Sequence, residues 1–196
     1  MTRRIFALGF LWVWVGAGIA VGGGCRRART PEEAFARLRD AVTAGDPGAF
    51  FDSLDQRSRW AWMTVQKSHR EAYDMILSNY PEGAERERDL RRFERAATLG
   101  NARELFIEEV GREALTRLPH PMPGAVRFEM AQDGDSASAV LPAAQPLPFR
   151  RSPDGKWGYA GLAAESEERQ KRALGDVEMV RASAADYERV AARNSR

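Results

Sequence analysis

Apolar residues recur along this chain first at helical and then at strand spacing, with capping and breaking residues at the joins. Thr30-Pro31-Glu32-Glu33 combines an N-cap threonine, a proline at the first helical position and a glutamate at the third, which predicts a helix start. Phe35, Leu38 and Val42 then repeat on one side until Gly45. Asp46-Pro47 repeats the logic for a short helix whose apolar face is Phe50, Phe51 and Leu54, so the pair predicts an αα-hairpin. From Gln56 to Tyr80 the positions Trp62, Val65, His69, Tyr73, Ile76 and Tyr80 lie three or four apart, one stripe of a long helix that Pro81 stops. Leu90, Phe93 and Ala97 line one side of a charge-rich surface helix. Asn101 with Glu104 makes a further capping box, and Phe106, Val110, Ala114 and Leu118 a further stripe.

The period changes after PHPMPG, residues 119–124, whose prolines remove backbone donors and force extended chain. Val126, Phe128 and Met130 alternate with Arg127 and Glu129, Asp133-Gly134 turns, and Ala137, Ala139 and Leu141 continue the alternation. Leu147 and Phe149, a Pro153-Asp154-Gly155 turn, then Trp157 and Tyr159 complete a small antiparallel sheet with one apolar face. From Ala164 the pattern is helical again, with Ala173, Val177, Val180, Ala184, Tyr187 and Ala191 on the buried side. A cap at Ser183 with Asp186 leaves open whether this is one helix or two. The expected fold class is α+β, N-terminal helices packed on a small curved antiparallel sheet, with a C-terminal helical segment.

Composition changes this picture mainly at the front. Met1 to Gly24 has a basic start (Arg3, Arg4), an apolar run from Ile5 to Val21 and then small residues, the layout of a secretory signal peptide. The following Cys25 is the single cysteine, and a lone thiol in an oxidising compartment has no intramolecular partner. VGGGC resembles the lipobox of bacterial lipoproteins, with Gly22 standing where that family usually has leucine three places before the cysteine. The resemblance implies cleavage before Cys25 and acylation of its sulfur (palmitate or a similar chain). It also implies a lipid anchor in the bacterial cell envelope; Arg26, rather than aspartate, after the cysteine points to the outer membrane, facing the periplasm. The expected division is a signal peptide over 1–24, a lipidated tether over 25–29 and one helix-rich domain over 30–196. An uncleaved spanning anchor over Ile5 to Val21, at the short end of the ~17–25 residues required, is the competing reading, and an ordinary thiol in a soluble protein is the third. Removing 1–24 takes Arg3 and Arg4 and no acid, so the 30 basic residues fall to 28 against 28 acids. A formally neutral mature chain points to no nucleic-acid partner.

PEEAFARLRDAVTAGDPGAFFDSLD, together with DGDSASAVLP and SPDGKWGYAGL, resembles the nuclear-transport-factor-2-like (ketosteroid-isomerase-like) cone fold. That family opens on a helix, a GD turn and a short second helix, followed by a curved sheet. The helical block from Gln56 to Leu118 and the tail after Leu162 are longer than in compact family members. The resemblance implies a pocket between sheet and helices, used by some members for isomerase, dehydratase or hydrolase chemistry and by many for binding or assembly alone.

Pocket catalysis needs an acid or base aimed into the apolar space. The apolar sheet face contains no carboxylate, and Glu129 falls on the opposite face. His69 and Tyr159 are the least poor catalytic candidates, each read more simply as core packing, while His120 sits among prolines. Acid pairs such as Glu108-Glu109 read as solvated faces. Two distant histidines without a second cysteine offer no metal-ligand spacing, and no cofactor motif occurs. Trp60, Trp62 and Trp157 are expected to pack the core, with an apolar ligand or an envelope-protein interface as their functional alternative. The expectation is a membrane-anchored, non-catalytic binding module, with a pocket enzyme of the same fold as alternative.

Overall fold

The computed structural model describes residues 28–142 and 144–194. The Thr30 hydroxyl accepts the Glu33 N–H at 3.2 Å and so caps α1 (Pro31–Ala44), which ends at Gly45 with φ 61°, the left-handed region that favours glycine. Asp46 accepts two N–H bonds, from Gly48 and Ala49, at the start of α2 (Pro47–Ser53). Asp55 caps α3 (Gln56–Asn79), which is followed by α4 (Ala84–Thr98). The Asn101–Glu104 box opens α5 (Ala102–Phe106), which continues through a π-turn at Ile107–Gly111 into α6 (Arg112–Thr116).

Four strands follow: β1 (Arg127–Met130), β2 (Ser136–Val140), β3 (Leu147–Arg151) and β4 (Trp157–Tyr159). They form an antiparallel sheet in sequential order, and α7 (Ala163–Asn194) closes the described chain as a single helix. The fold is thus α+β, and the period-2 pattern places its faces: Phe128 opposes Ala139, and Phe149 lies between Ala137 and Tyr159. Phe35 of α1 packs edge-on against Phe128 and Phe149, at centroid separations of 6.1 and 6.4 Å. Phe50, Phe106, Trp62 and Tyr159 extend the same aromatic cluster, so the space between sheet and helices is filled by rings. Burial of each such side chain contributes about 1.5–3 kcal/mol before entropy is charged against it.

The outer edge of β4 is covered by two short crossings rather than a fifth strand. Trp157 donates its N–H to the Ala28 carbonyl at 2.9 Å, and the Asp55 N–H donates to the Tyr159 carbonyl at 2.9 Å. Leu54 and Tyr159 form a parallel bridge there. An uncovered edge would offer unpaired backbone groups to another chain.

A second core lies along α3, α4 and α7, where Ala72, Ile76 and Tyr80 meet Phe93, Val177, Val180 and Ala184. Gln170 bonds Thr64, Arg181 bonds Glu71 and Asn79 bonds Glu188, so α7 runs parallel to α3. The buried line of α3 passes through Ser68 and Ala72, whereas His69 and Tyr73 sit half-buried beside it. Small residues there let the helix axes approach closely. Among the described residues no helix is long and apolar enough to cross a membrane.

Candidate functional site

Trp60 leaves the core because it lies just off the apolar stripe of α3, and it is 57 % exposed. Met63, one turn on, is 55 % exposed beside it. The two stand in a cleft of about 940 Å³ bounded by the α2–α3 junction, the first turns of α3, the α4–α5 turn and Gln170 of α7. Phe51 contributes apolar floor, and Gln56, Gln66, Thr64 and Asn101 contribute amide and hydroxyl groups. Arg59, Lys67 and Arg103 supply three cations, and no carboxylate lines the cleft. A cavity of this size, mostly apolar with a few convergent polar groups, is of the kind that holds a small ligand.

Trp60 and Gln56 also border a second, more polar cleft of about 760 Å³ toward the β3–β4 turn. Its charges are balanced: Asp55, Asp133 and Asp135 face Arg57, Arg150 and Arg151. Asp55 is the buried carboxylate that sequence reasoning missed, at 2 % exposure. Its Oδ1 accepts the Ser58 N–H at 3.0 Å and its Oδ2 accepts from Arg150 at 3.1 Å. Both oxygens therefore serve the fold, one by capping α3 and the other by tying that cap to β3. The signal was available in Leu54-Asp55-Gln56, an aspartate directly before a helical run.

The other sequence candidates go to different places. Trp62 is 2 % exposed, edge-on to Phe106 at 5.3 Å and beneath the Arg169 guanidinium at 5.3 Å from its ring. Trp157 is 9 % exposed in the core below Ala28. Tyr159 is buried between Phe50 and Phe149, and burial pushes its phenol above the ordinary range. His69 packs on Phe93 at 5.5 Å, in the second core. Its imidazole is pulled below the usual value by burial, with Asp176 opposing and Arg92 adding to the shift. His69 and Tyr159 thus belong to separate cores, and neither lines either of these clefts. His120 is exposed, and Cys25 lies outside the described residues.

Glu108 and Glu109 lie in the π-turn and are paired across elements rather than merely solvated. Glu108 pairs with Arg95 of α4, and Glu109 with Arg169 of α7 at 3.1 Å. Burial pushes the Glu109 carboxyl up, and Arg169 offsets part of the rise. Among the described residues no group of three or more histidine, cysteine or acidic side chains is placed to hold a metal ion. No family model matches this chain, and neither does any curated protein or any solved structure. The cone-fold and lipobox resemblances rest on their own residues.

Proposed function

We propose that this chain is an envelope lipoprotein, fastened to the membrane through an acylated Cys25, whose cone-like domain is a non-catalytic module binding an apolar ligand or another envelope protein. The observation that carries the binding half is the Trp60 cleft: an indole more than half exposed, beside an exposed methionine, in a concavity rimmed by amides and cations. Leaving such apolar area in water forgoes about 25 cal/mol per Å² of stability, and occupancy of the cleft would recover it. The anchoring half is supported by the signal-like run from Ile5 to Val21, the small residues before Cys25 and the single cysteine of the chain.

The alternative, a pocket enzyme of the same fold, has less support. Aromatic rings occupy the space between sheet and helices, and the candidates His69 and Tyr159 do not converge.

Intact-mass measurement of the protein taken from its native membrane tests the anchor. A species starting at Cys25 with added acyl mass is expected, and Cys25→Ser is expected to leave the precursor uncut. A mass matching an unprocessed Met1 or Thr2 terminus sinks the lipoprotein reading.

A further inference from the structure

We infer that the Trp60 cleft selects a small amphipathic anion, a molecule with a flat or branched apolar body and one carboxylate or phosphate group. The inference rests on the cleft being the binding face proposed above and adds the charge and shape of what enters it. Apolar contact comes from Trp60, Met63 and Phe51, of which the first two are exposed and open to a new partner. An indole face and a thioether suit a planar or branched hydrocarbon body.

Charge complementarity sets the sign. Arg59 and Lys67, two turns apart on α3, and Arg103 of α5 line the cleft, and no carboxylate is among the lining residues. Of the acids outside the lining, Asp52 pairs with the Arg103 Nε at 3.4 Å, and Glu104 accepts from Gly100 at 2.8 Å and from the Asn101 amide at 3.0 Å. A cation entering the same space would meet basic side chains and no lining carboxylate, whereas an anion would meet a bidentate-capable guanidinium and an ammonium.

Arg103 is held in place by a glycine. A Cβ at Gly48 would come within 1.9 Å of the Arg103 Nη2 and 2.4 Å of its Cζ, so the guanidinium lies flat against α2 where a side chain is missing. Alanine at that position drives the guanidinium off its seat without touching backbone. Gly48 is in this sense a positioning residue for the anion.

The test uses the full chain in phosphatidylcholine nanodiscs and ligand-observed NMR with three probes of one shape: naphthoate, naphthol and naphthylmethylammonium. Naphthoate is expected to bind at least tenfold more tightly than naphthol, the ammonium not measurably, and raising salt is expected to narrow the gap. Lys67→Glu with Arg103→Glu is expected to cut naphthoate affinity at least tenfold and to admit the ammonium. Gly48→Ala is expected to weaken naphthoate several-fold while leaving naphthol unchanged, a split that simple loss of fold does not produce. Trp60→Ala is expected to weaken both. Equal binding of naphthoate and naphthol, or indifference to the charge reversal, overturns the anion assignment and leaves the cleft as a binding face. Absence of binding by all three probes, with Trp60→Ala silent, overturns the cleft itself.

Discussion

His69 is neutral by preference because its ring is packed on Phe93 rather than solvated, with the Arg92 cation adding to the effect and Asp176 opposing it. A folded-state value below the unfolded one, near 6.5, means that between the two the unfolded chain holds more protons, so stability rises with pH there. The contribution is complete above about pH 6.5, is lost as pH falls through the folded value, and is level below it. Urea unfolding from about pH 7.5 to about pH 5 is expected to show this loss, and His69→Gln to flatten it; parallel curves for the two proteins would refute the assignment. Glycines give a sharper residue-scale contrast. At Gly158 a Cβ would lie 2.6 Å from the Leu54 carbonyl oxygen and from the Asp55 Cα, backbone that crosses β4 and cannot swing aside. Gly158→Ala is expected to cost about 2–3 kcal/mol. Gly175, exposed on α7 with nothing within 4 Å of its Cβ position, is expected to gain about 0.5–1 kcal/mol as alanine. Denaturant midpoints of the two variants should therefore move in opposite directions, and a rise for Gly158→Ala would show that the β4 crossing has room for a Cβ.

Element boundaries depend on a few of these residues acting between elements. Asp55 ends the α2–α3 junction, caps α3 and reaches Arg150 of β3, so Asp55→Ala removes a cap and one side of an ion pair whose arginine is one-third exposed. A loss of about 2–4 kcal/mol is expected, with Asp55→Asn, which keeps the capping oxygen, recovering roughly half. Equal losses in thermal or urea unfolding would mean that the charge, not the cap, matters. Helix starts were legible in the sequence because Thr30, Asp46 and Asn101 act within three or four residues of themselves. The sheet faces were legible because the buried positions Ala137 and Ala139 of β2 and Leu147 and Phe149 of β3 alternate with less buried ones. The stripe Phe106, Val110, Ala114, Leu118 held more than was read from it. At a uniform spacing of four, residues drift about 40° per step around an ordinary helix, and the one extra residue of a π-turn takes up about 100° of that drift. The turn at Ile107–Gly111 falls within this stripe and brings Gly111 against Pro47, where a Cβ would lie 2.8 Å from the proline ring. Trp60 as the exposed indole was not legible. Trp60 and Trp62 are two apart on one helix, and only the position of α5 and α7 decides which of them is covered.

At the scale of the whole molecule, the covered sheet edge and the Trp60 cleft meet at the α2–α3 junction, and the anchor proposed at Cys25 precedes that edge by three residues of sequence. Ala28 is 2 % exposed and holds the Trp157 N–H, so the described fold begins three residues after the cysteine. Three residues reach at most about 11 Å, too little for a domain to hang free of a bilayer to which that cysteine would be attached. The β4 edge, which Ala28 covers, would lie against the headgroups. Trp60 lies five residues into α3 from the Asp55 crossing at that edge, about 8 Å along the helix, so the cleft would open close to the lipid surface. By contrast α7 starts four residues after β4 and carries Val190 roughly 40 Å away along its axis. With Cys25 acylated, a cysteine introduced at Lys156 or at Val190 is the one free thiol in each variant and can take a spin label. In vesicles the label at position 156 is expected to show strong broadening by a headgroup-attached relaxation agent, and the label at 190 little. Ten Gly/Ser residues inserted between Arg27 and Ala28 are expected to remove the difference. Equal broadening at both positions in the parent chain would show that the domain is not held by its tether, even where the mass of the protein has established the acyl group.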